Sequence, residues 1–268
     1  MLIPFVKMHG ARNDFVVVDE RDFAVGDETR AARMICDRHA GVGADGVLLV
    51  GPGEGTISDA SMRVLNADGS EAEMCGNGIR CVARYLSERG EGDSRRIATK
   101  AGLIQTHVLS RDPDFLVRVV MGVPVIATRE TKFVGPSIVS LGNPHAVFFL
   151  DDIDDVDLHA TVAELASLPQ YREGINVHVA AVETAQRIRA RHYERGVGET
   201  MACGTGAVAI AAAALNLGVA RSPVDVLVPG GRLRVIWDGS SSALLEGPAV
   251  RVFSANYEYF DVFAQEQL

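Results

Sequence analysis

The sequence of 268 residues is poor in cysteine, in aromatic residues and in positive charge. It holds four cysteines and one tryptophan, and aromatic residues make up 6% of the chain. Lysine and arginine together number 26 against 35 acidic residues, so the formal net charge is −9. This balance argues against a nucleic acid or an anionic membrane as the main partner, although one arginine and a helix N-terminus can still bind a small anion.

Long hydrophobic runs are also missing. The longest apolar run, residues 207–215, is far shorter than the roughly 20 residues that cross a bilayer. The N-terminal segment lacks the basic and apolar regions of a signal peptide. We therefore expect a soluble cytoplasmic protein without a membrane partner, in which the cysteines are thiols rather than disulfides.

Metal and cofactor motifs are absent as well. The sequence has no Cys-x-x-Cys pair and no group of histidines and cysteines at metal-ligand spacing. The glycine-rich segment 41–46 precedes an expected strand rather than a helix, so it predicts a turn and not a phosphate-binding loop. We expect the protein to use neither a metal nor a cofactor.

Apolar patterning predicts many strands and few helices. Three segments have helical spacing or composition, namely residues 29–38, 76–89 and 204–217. The last is apolar nearly all round and should be enclosed by other structure. Strands are expected at residues 15–18, 46–50, 115–120, 146–150, 175–179 and 233–237. Without strict alternation of strand and helix, this pattern indicates the α+β class.

An internal repeat organises the chain. Residues 71–78 and 199–206 both read E-x-x-x-C-G-[NT]-G, with Cys75 and Cys203 at the same place in each copy. An Asn-containing turn lies about sixty residues upstream of each cysteine. The repeat predicts two similar domains related by a pseudo-twofold axis, with one site in the cleft between them. The stretch 122–136 is the expected crossing from one half to the other.

The repeated turn has a chemical meaning. The first turn of a helix leaves backbone N–H groups without partners and is the positive end of the helix dipole, and glycine lets a ligand approach it closely. Such a turn suits a carboxylate, and it favours the thiolate of a cysteine placed there. Two thiols on opposite faces of one α-carbon could remove and return a proton, which inverts the carbon without a cofactor.

Several of these residues also have simpler interpretations. Cys36 and Cys81 are expected to be buried small hydrophobic residues. Asn13 and Asn143 would suit turns in any case, and His145 alone would more often be a structural histidine. Only the duplication of the Cys-Gly-x-Gly turn, with matching flanks, turns these patterns into a prediction of function.

The motifs at residues 66–81 and 193–206 resemble the two signatures of the diaminopimelate epimerase family. Residues 10–15, 142–145 and 229–231 agree as well, so the resemblance covers most of the chain. It implies two domains, each a curved mixed or antiparallel sheet around a central helix, with boundaries at 1–121 and 122–249. A C-terminal strand at about 250–268 would return to the first domain. The resemblance also implies a homodimer, with a small diamino-dicarboxylate as the substrate.

The resemblance assigns roles to individual residues. Cys75 and Cys203 would be the acid and base, assisted by His145 and Glu194. The remaining positions would contact the substrate, namely Asn13, Asn66, Gly76, Asn77, Asn143, Asn176, Glu194, Arg195, Gly204 and Thr205. Glutamate suits an ammonium group, and the arginine fork suits a distal carboxylate.

Three other functions remain open at this point. The first is a racemase or epimerase of proline, hydroxyproline or histidine, although proline-racemase-like proteins typically carry histidine where this chain has Asn77. The second is a phenazine-biosynthesis type isomerase, which shares the fold but lacks the cysteine pair. The third is a non-enzymatic amino-acid binding protein, for which two matched thiols would have no obvious use.

Overall fold

The computed structural model describes residues 2–23, 25–127 and 135–259. Residues 128–134 of the expected crossing segment, and residues 260–268 of the expected returning strand, lie outside the described residues. The elements up to the middle of the chain are β1 (Leu2–Gly10), β2 (Asn13–Asp19), α1 (Glu28–Cys36), β3 (Gly46–Pro52), β4 (Ala60–Asn66), β5 (Glu71–Ala72), α2 (Gly76–Glu88), β6 (Ser94–Thr99), β7 (Gly102–Ser110) and β8 (Leu116–Val120).

Among the described residues, the second half of the chain contributes ten strands, against eight in the first, and again two α-helices. Its elements are β9 (Val125–Ile126), β10 (Ser137–Ser140), β11 (Pro144–Phe149), α3 (Leu158–Ala166), a 3-10 turn (Pro169–Tyr171), β12 (Asn176–Thr184), β13 (Arg187–Glu194), β14 (Gly198–Thr200), α4 (Gly204–Asn216), β15 (Val224–Val228), β16 (Gly231–Ile236), β17 (Leu244–Pro248) and β18 (Val250–Glu258). Parallel and antiparallel strands with few helices confirm the α+β class in the described residues.

The chain forms two compact units. Within the described residues, the first comprises 2–10, 14–117 and 249–259, and the second comprises 11–13 and 118–248. In the first unit β2 is parallel to β3, β4 is antiparallel to β3 and parallel to β6, and β7 closes a hairpin with β6. The strand β18 pairs antiparallel with β1, so the last described strand completes the unit that contains the first one.

The second unit repeats this connectivity. There β11 is parallel to β12, β13 is antiparallel to β12 and parallel to β15, and β16 closes a hairpin with β15. The order β2-α1-β3-β4-β5-α2-β6-β7 therefore corresponds, element by element, to β11-α3-β12-β13-β14-α4-β15-β16. The repeat found in the sequence is a repeat of topology.

In the described residues each unit has two α-helices, which lie on opposite faces of its sheet. The helix α1 packs its apolar face on β3 and β4, whereas α2 contacts β1, β3, β4 and β7. In the same way α3 contacts β12 and β13, and α4 contacts β10, β11, β12, β15 and β16. As its composition predicts, α4 is enclosed, since all but one of residues 204–214 are buried. Burying such a helix stabilises the unit through the apolar area that it removes from water.

The structure differs from the sequence prediction at α3. Residues 158–166 were not assigned to any element, yet they form a helix that begins after the N-cap Asp157. Only Leu158 and Leu165 of this helix are buried, which is too sparse an apolar pattern to stand out in the sequence. The three helices that were predicted lie at the expected places, with ends shifted by one or two residues.

Candidate active site

Each central helix begins at one of the two repeated cysteines. Cys75 is the N-cap of α2 and Cys203 is the N-cap of α4, and both have extended backbone conformations. The Sγ of Cys75 accepts a hydrogen bond from the Gly78 N–H at 3.4 Å, and that of Cys203 accepts one from the Gly206 N–H at 3.3 Å. The cap position holds the sulfur against the first helical turn, where the N–H groups would otherwise lack partners.

The other two α-helices are capped in the ordinary way. The carboxylates of Asp27 and Asp157 accept from backbone N–H groups at the starts of α1 and α3. Neither α2 nor α4 has an acidic residue in its first turn. Because no carboxylate of their own first turns neutralises these positive helix ends, they suit the carboxylate of a ligand.

Cys203 is held as a thiol. Its side chain is buried, and burial together with the negative charge and hydrogen bond of Glu194 raises its pKa well above the ordinary value for cysteine. Hydrogen bonds from Thr205 and the Gly206 N–H act in the opposite direction but do not outweigh burial. The helix N-terminus favours the thiolate of Cys203 through the Gly206 N–H, as expected, but burial outweighs this effect. Desolvation of the sulfur is the larger effect.

Glu194 connects the second cysteine turn to the strand before it. Its Oε1 accepts a hydrogen bond at 2.7 Å from the hydroxyl of Thr200, which lies in the same sequence motif. The glutamate is half-buried, and its negative charge and hydrogen bond both raise the pKa of Cys203. Thr200, to which the sequence assigned no role, thus donates a hydrogen bond to this carboxylate.

The four thiols should differ sharply in reactivity. Cys75 is partly exposed, whereas Cys36, Cys81 and Cys203 are buried. Burial raises the pKa of Cys36 and of Cys81 to about 12. Because the thiolate is the nucleophile, we expect iodoacetamide at neutral pH to alkylate Cys75 first, and Cys203 more readily as the pH rises.

Peptide mapping by mass spectrometry after a timed reaction would measure this order. The same reaction in denaturant, where all four cysteines should be labelled, is the control. Equal labelling rates for Cys75 and Cys203 in the folded protein would contradict the assignment of Cys203 as a buried thiol.

Two predicted site residues of the first unit, Gly76 and Asn77, form the first turn of α2. The Oδ1 of Asn77, which is buried, accepts a hydrogen bond at 2.8 Å from Arg80, and a second nitrogen of Arg80 donates to the Gly76 carbonyl. Burial lowers the pKa of this guanidinium to about 10. Asn66, at the end of β4, donates through Nδ2 to the Ser70 hydroxyl. Arg80 thus orders the first turn from inside, a role that the sequence did not reveal.

In the second unit, Asn176 holds two segments together. Its Nδ2 donates to the Pro144 carbonyl at 2.9 Å, and its Oδ1 accepts from the Arg195 N–H at 3.0 Å. The Arg195 side chain is exposed and makes no ion pair among the described residues. Its aliphatic part packs over Gly174, and its guanidinium donates one hydrogen bond, at 3.4 Å, to the Glu173 carbonyl. This arrangement is consistent with the predicted role for Arg195.

His145 has both ring nitrogens engaged. Nε2 lies 2.9 Å from the Oδ1 of Asn143, and Nδ1 lies 2.8 Å from a ring nitrogen of His178. The expected assistance to a thiol is therefore not among its hydrogen bonds. His178 and His192 were not singled out from the sequence, although all three histidines have their side chains fully buried.

The remaining predicted residues lie at or near the first residues of strands and helices. Asn13 is half-buried at the start of β2, and Gly204 is buried at the start of α4. The hydroxyl of Thr205 lies 3.5 Å from the Cys203 sulfur. A cavity of about 500 Å³ in the first unit is lined by other residues, among them Asp19, Tyr85 and Arg251. None of the residues predicted for the site lines it.

The described part of the chain contains neither a candidate metal site nor a candidate membrane span. Among residues 2–23, 25–127 and 135–259, no group of three or more histidine, cysteine, aspartate or glutamate side chains could hold a metal ion. No helix in that same part of the chain is long and apolar enough to cross a membrane.

Sequence comparison places the chain among known enzymes. A sequence model of the family described as diaminopimelate epimerase matches residues 5–127 and 137–252. The diaminopimelate epimerase of Azoarcus sp. (strain BH72) is 40% identical over 278 residues, which covers 96% of this chain and 99% of that protein. The one from Rhizorhabdus wittichii is 41% identical over 272 residues, covering 95% of each.

Solved structures with the same fold belong to more distant proteins. A phenazine biosynthesis protein of the PhzF family from Bacillus anthracis has a TM-score of 0.76 at 18% identity, covering 97% of this chain and all of that one. A hydroxyproline epimerase from Agrobacterium vitis has a TM-score of 0.72 at 16% identity, covering 98% and 94%. At these identities the likeness establishes the fold alone, whereas the full-length match to the family model and to the relatives at 40% identity is decisive. This chain belongs to the diaminopimelate epimerase family.

Proposed function

We propose that this protein inverts one α-carbon of LL-diaminopimelate to give the meso form, with Cys75 and Cys203 as its two proton carriers. The observation that supports this most directly is the pair of matched helix starts. Each has a cysteine N-cap whose sulfur accepts the N–H of the third residue along the helix, and neither has an acid in the first turn. Family membership supports the choice of substrate.

The chemistry follows from these two helix starts. Inversion needs one group to remove the α-proton and another to return a proton on the opposite face, and the two thiols fill these roles. The N–H groups of Gly76 and Asn77, and of Gly204 and Thr205, would stabilise the charge that grows on the substrate carboxylate as the α-proton leaves. No metal or cofactor is needed for any of these steps.

The buried thiol makes a strong base once it is deprotonated. The α-proton of an amino acid is only weakly acidic, so its removal is helped by a base whose own conjugate acid is weak. The raised pKa of Cys203 meets this requirement. In the proposal Glu194 takes the Cys203 proton when substrate arrives, and Cys75 protonates the other face of the carbanion.

The other residues are assigned to substrate binding and positioning. The proposal includes a homodimer and excludes nucleic-acid and membrane partners, as the family resemblance and the net charge of −9 suggest. Residues proposed to bind substrate are Asn13, Asn66, Asn77, Asn143, Asn176, Glu194, Arg195 and Thr205, with His145 near the reacting end. Analytical ultracentrifugation would test the dimer.

Solvent isotope exchange tests the reaction itself. The purified protein would be incubated in deuterated water, with a chelator and without pyridoxal phosphate, with LL-diaminopimelate, L-proline, hydroxyproline or L-histidine. We expect deuterium at the α-carbon and formation of the second stereoisomer with diaminopimelate alone. Exchange only with proline or histidine would show another epimerase of this fold, and no exchange with any of them would favour a binding protein.

Substrate choice should depend on Arg195. Replacing Arg195 with alanine removes a charge-assisted contact to the distal carboxylate, a kind of contact worth about 1.5–3 kcal/mol, so we expect kcat/KM on diaminopimelate to fall about 10- to 100-fold. Steady-state kinetics would measure the loss. Arg172→Ala is a matched control, because Arg172 is also an exposed arginine and lies in the segment just before Asn176. Equal kinetics in the two variants would show that the distal carboxylate is bound elsewhere.

A further inference from the structure

Three buried histidines lie on neighbouring strands of the second unit. His145 is on β11, His178 on β12 and His192 on β13. His178 and His192 are directly opposite each other in the antiparallel pair. The strand β11 is parallel to β12, and His145 is paired there with Asn176. Asn176 lies two residues before His178 on β12. Because side chains two residues apart share a face of a sheet, all three rings lie on the same face.

The rings and one asparagine form a continuous chain of hydrogen bonds. The Asn143 Oδ1 is 2.9 Å from His145 Nε2, and His145 Nδ1 is 2.8 Å from His178 Nε2. His178 Nδ1 is in turn 2.8 Å from His192 Nδ1. The last nitrogen, His192 Nε2, is buried and has no hydrogen-bond partner. The chain therefore has a carboxamide at one end and a single orphaned nitrogen at the other.

Only one direction of this chain avoids an orphaned donor. Burial lowers the pKa of His145 and of His192 to about 3, so the rings are neutral and each carries one N–H. If His145 donates to the Asn143 oxygen, then His178 donates to His145, His192 donates to His178, and the orphan is a bare lone pair. The reverse direction would bury an unpaired N–H, which is the rarer and costlier outcome.

The direction determines what Asn143 can offer to a ligand. With its Oδ1 directed at His145, the carboxamide keeps both N–H donors for another partner. Those donors make no hydrogen bond among the described residues, and Asn143 is only half-buried. Two N–H groups suit a carboxylate oxygen, whereas an outward carbonyl would repel one.

The hydrogen-bond chain also contacts the second cysteine turn, through the ring of His178. A Cβ placed on Gly206 would lie 2.5 Å from Cε1 and 3.0 Å from Nε2 of His178, so the imidazole packs directly on the backbone of the first turn of α4. The N–H of Gly206 is the one that donates to the Cys203 sulfur. The central ring of the chain thus lies against the helix start that is proposed to bind the reacting carboxylate.

The fold itself does not require histidine at these places. By topology His145, His178 and His192 correspond in the first unit to Phe15, Leu48 and Val64, all of them buried. Leu48 and Val64 are opposite each other as His178 and His192 are, and the Leu48 side chain lies against Gly78 as His178 lies against Gly206. Apolar residues therefore fill the equivalent space, so the polar chain needs an explanation other than packing.

We propose that His178 and His192 are positioning residues that fix the direction of the hydrogen-bond chain through His145, so that Asn143 presents its two N–H donors to a substrate carboxylate. This inference rests on the proposed function for the identity of the ligand. The direction of the chain can be measured without any substrate. It also explains why both nitrogens of His145 are used within the protein.

Nitrogen-15 NMR of protein labelled in its seven histidines tests the direction first. The chemical shifts show which ring nitrogen bears the proton. We expect the proton on Nε2 of His145 and of His178, and on Nδ1 of His192, with assignment by single substitutions. A proton on Nδ1 of His145 would overturn the proposal. Because this measurement needs no turnover, it stands even if the epimerase assignment fails.

A pair of isosteric variants tests the consequence for binding. In His192→Asn the side-chain nitrogen can replace Nδ1 and still donate to His178, whereas an ionised aspartate in His192→Asp can only accept. The second variant should reverse the chain and turn the Asn143 carbonyl outward. We expect His192→Asp to raise KM about tenfold or more, since a contact to a charged group is lost, and His192→Asn to keep most of the wild-type kcat/KM. Equal KM values in the two variants would contradict the proposal.

The first unit supplies a variant for the case that His192→Asp does not fold. His178→Leu combined with His192→Val introduces the leucine–valine pair found at the equivalent positions of the first unit. We therefore expect its thermal midpoint to lie within a few degrees of that of the wild type. The double variant removes the donor to His145 Nδ1, and we expect KM to rise while the thermal midpoint changes little. A purely structural role would give the opposite result, with a lower midpoint and unchanged KM.

Discussion

Cys75→Ser and Cys203→Ser should each lose epimerisation by about 10²- to 10⁴-fold, the range that general acid–base groups contribute. A serine hydroxyl is a much weaker acid and base at neutral pH, and a single remaining thiol reaches only one face of the carbanion. Racemisation assays from both stereoisomers would measure the loss. If Cys203→Ser interconverts the isomers at close to the wild-type rate, the assignment of two cysteines is wrong.

The same variants should keep half of the reaction. With a halogen at the β-carbon, removal of the α-proton expels halide and needs no return of a proton. Each variant should therefore eliminate halide from the one stereoisomer that its remaining thiol can deprotonate, with opposite preferences in the two variants. Cys81→Ser is the control, because Cys81 is a buried cysteine of α2 that belongs to neither cap. It should retain both activities.

Gly206→Ala should destabilise the protein, against the usual trend for helices. Glycine to alanine within a helix ordinarily stabilises by about 0.5–1 kcal/mol. At this position the new methyl would lie 2.5 Å from a ring carbon of His178, which is itself held at both nitrogens. Overpacking of this kind costs about 1–3 kcal/mol, so we expect a lower free energy of unfolding and reduced activity.

Chemical denaturation would measure the change, and two further variants make it interpretable. Gly26→Ala is the control, because a Cβ there meets nothing within 4 Å. In a His178→Ala background the space is open, so Gly206→Ala should cost less than it does in the wild type. A stable Gly206→Ala protein with full activity would mean that the ring does not constrain the first turn of α4.

The features that the sequence predicted best are those encoded by local signals. The two Cys-Gly-x-Gly turns, the helices after them and the buried character of α4 follow from motifs and composition, and the structure confirms them. The strand β3 was predicted from a single apolar run that begins at Gly46. Its residues are apolar because they are buried from Gly46 to Gly51. Such a run needs no knowledge of its neighbours to be recognised.

The features that were missed depend on contacts between distant residues. The helix α3 relies on tertiary packing of two leucines, and the strand β4 alternates buried and half-buried residues around Arg63. The pairing of His178 with His192 follows from strand register, which no local pattern reveals. The burial that raises the pKa of Cys203 depends on the whole of its surroundings, so the cysteine motif alone did not reveal it.

The pairing of β1 with β18 has a consequence for folding kinetics. Its register partners include Leu2 with Glu258 and Phe5 with Ala255, so these contacts span nearly the whole chain. Contacts of such high sequence separation form late, since the entropy of closing the loop is lost before they are gained. During synthesis β1 must wait for β18 to leave the ribosome, while every strand of the second unit is already made. The unit that begins first is therefore expected to be completed last. Until β18 pairs with it, β1 is an exposed strand edge that can form intermolecular β-pairing and so promote aggregation.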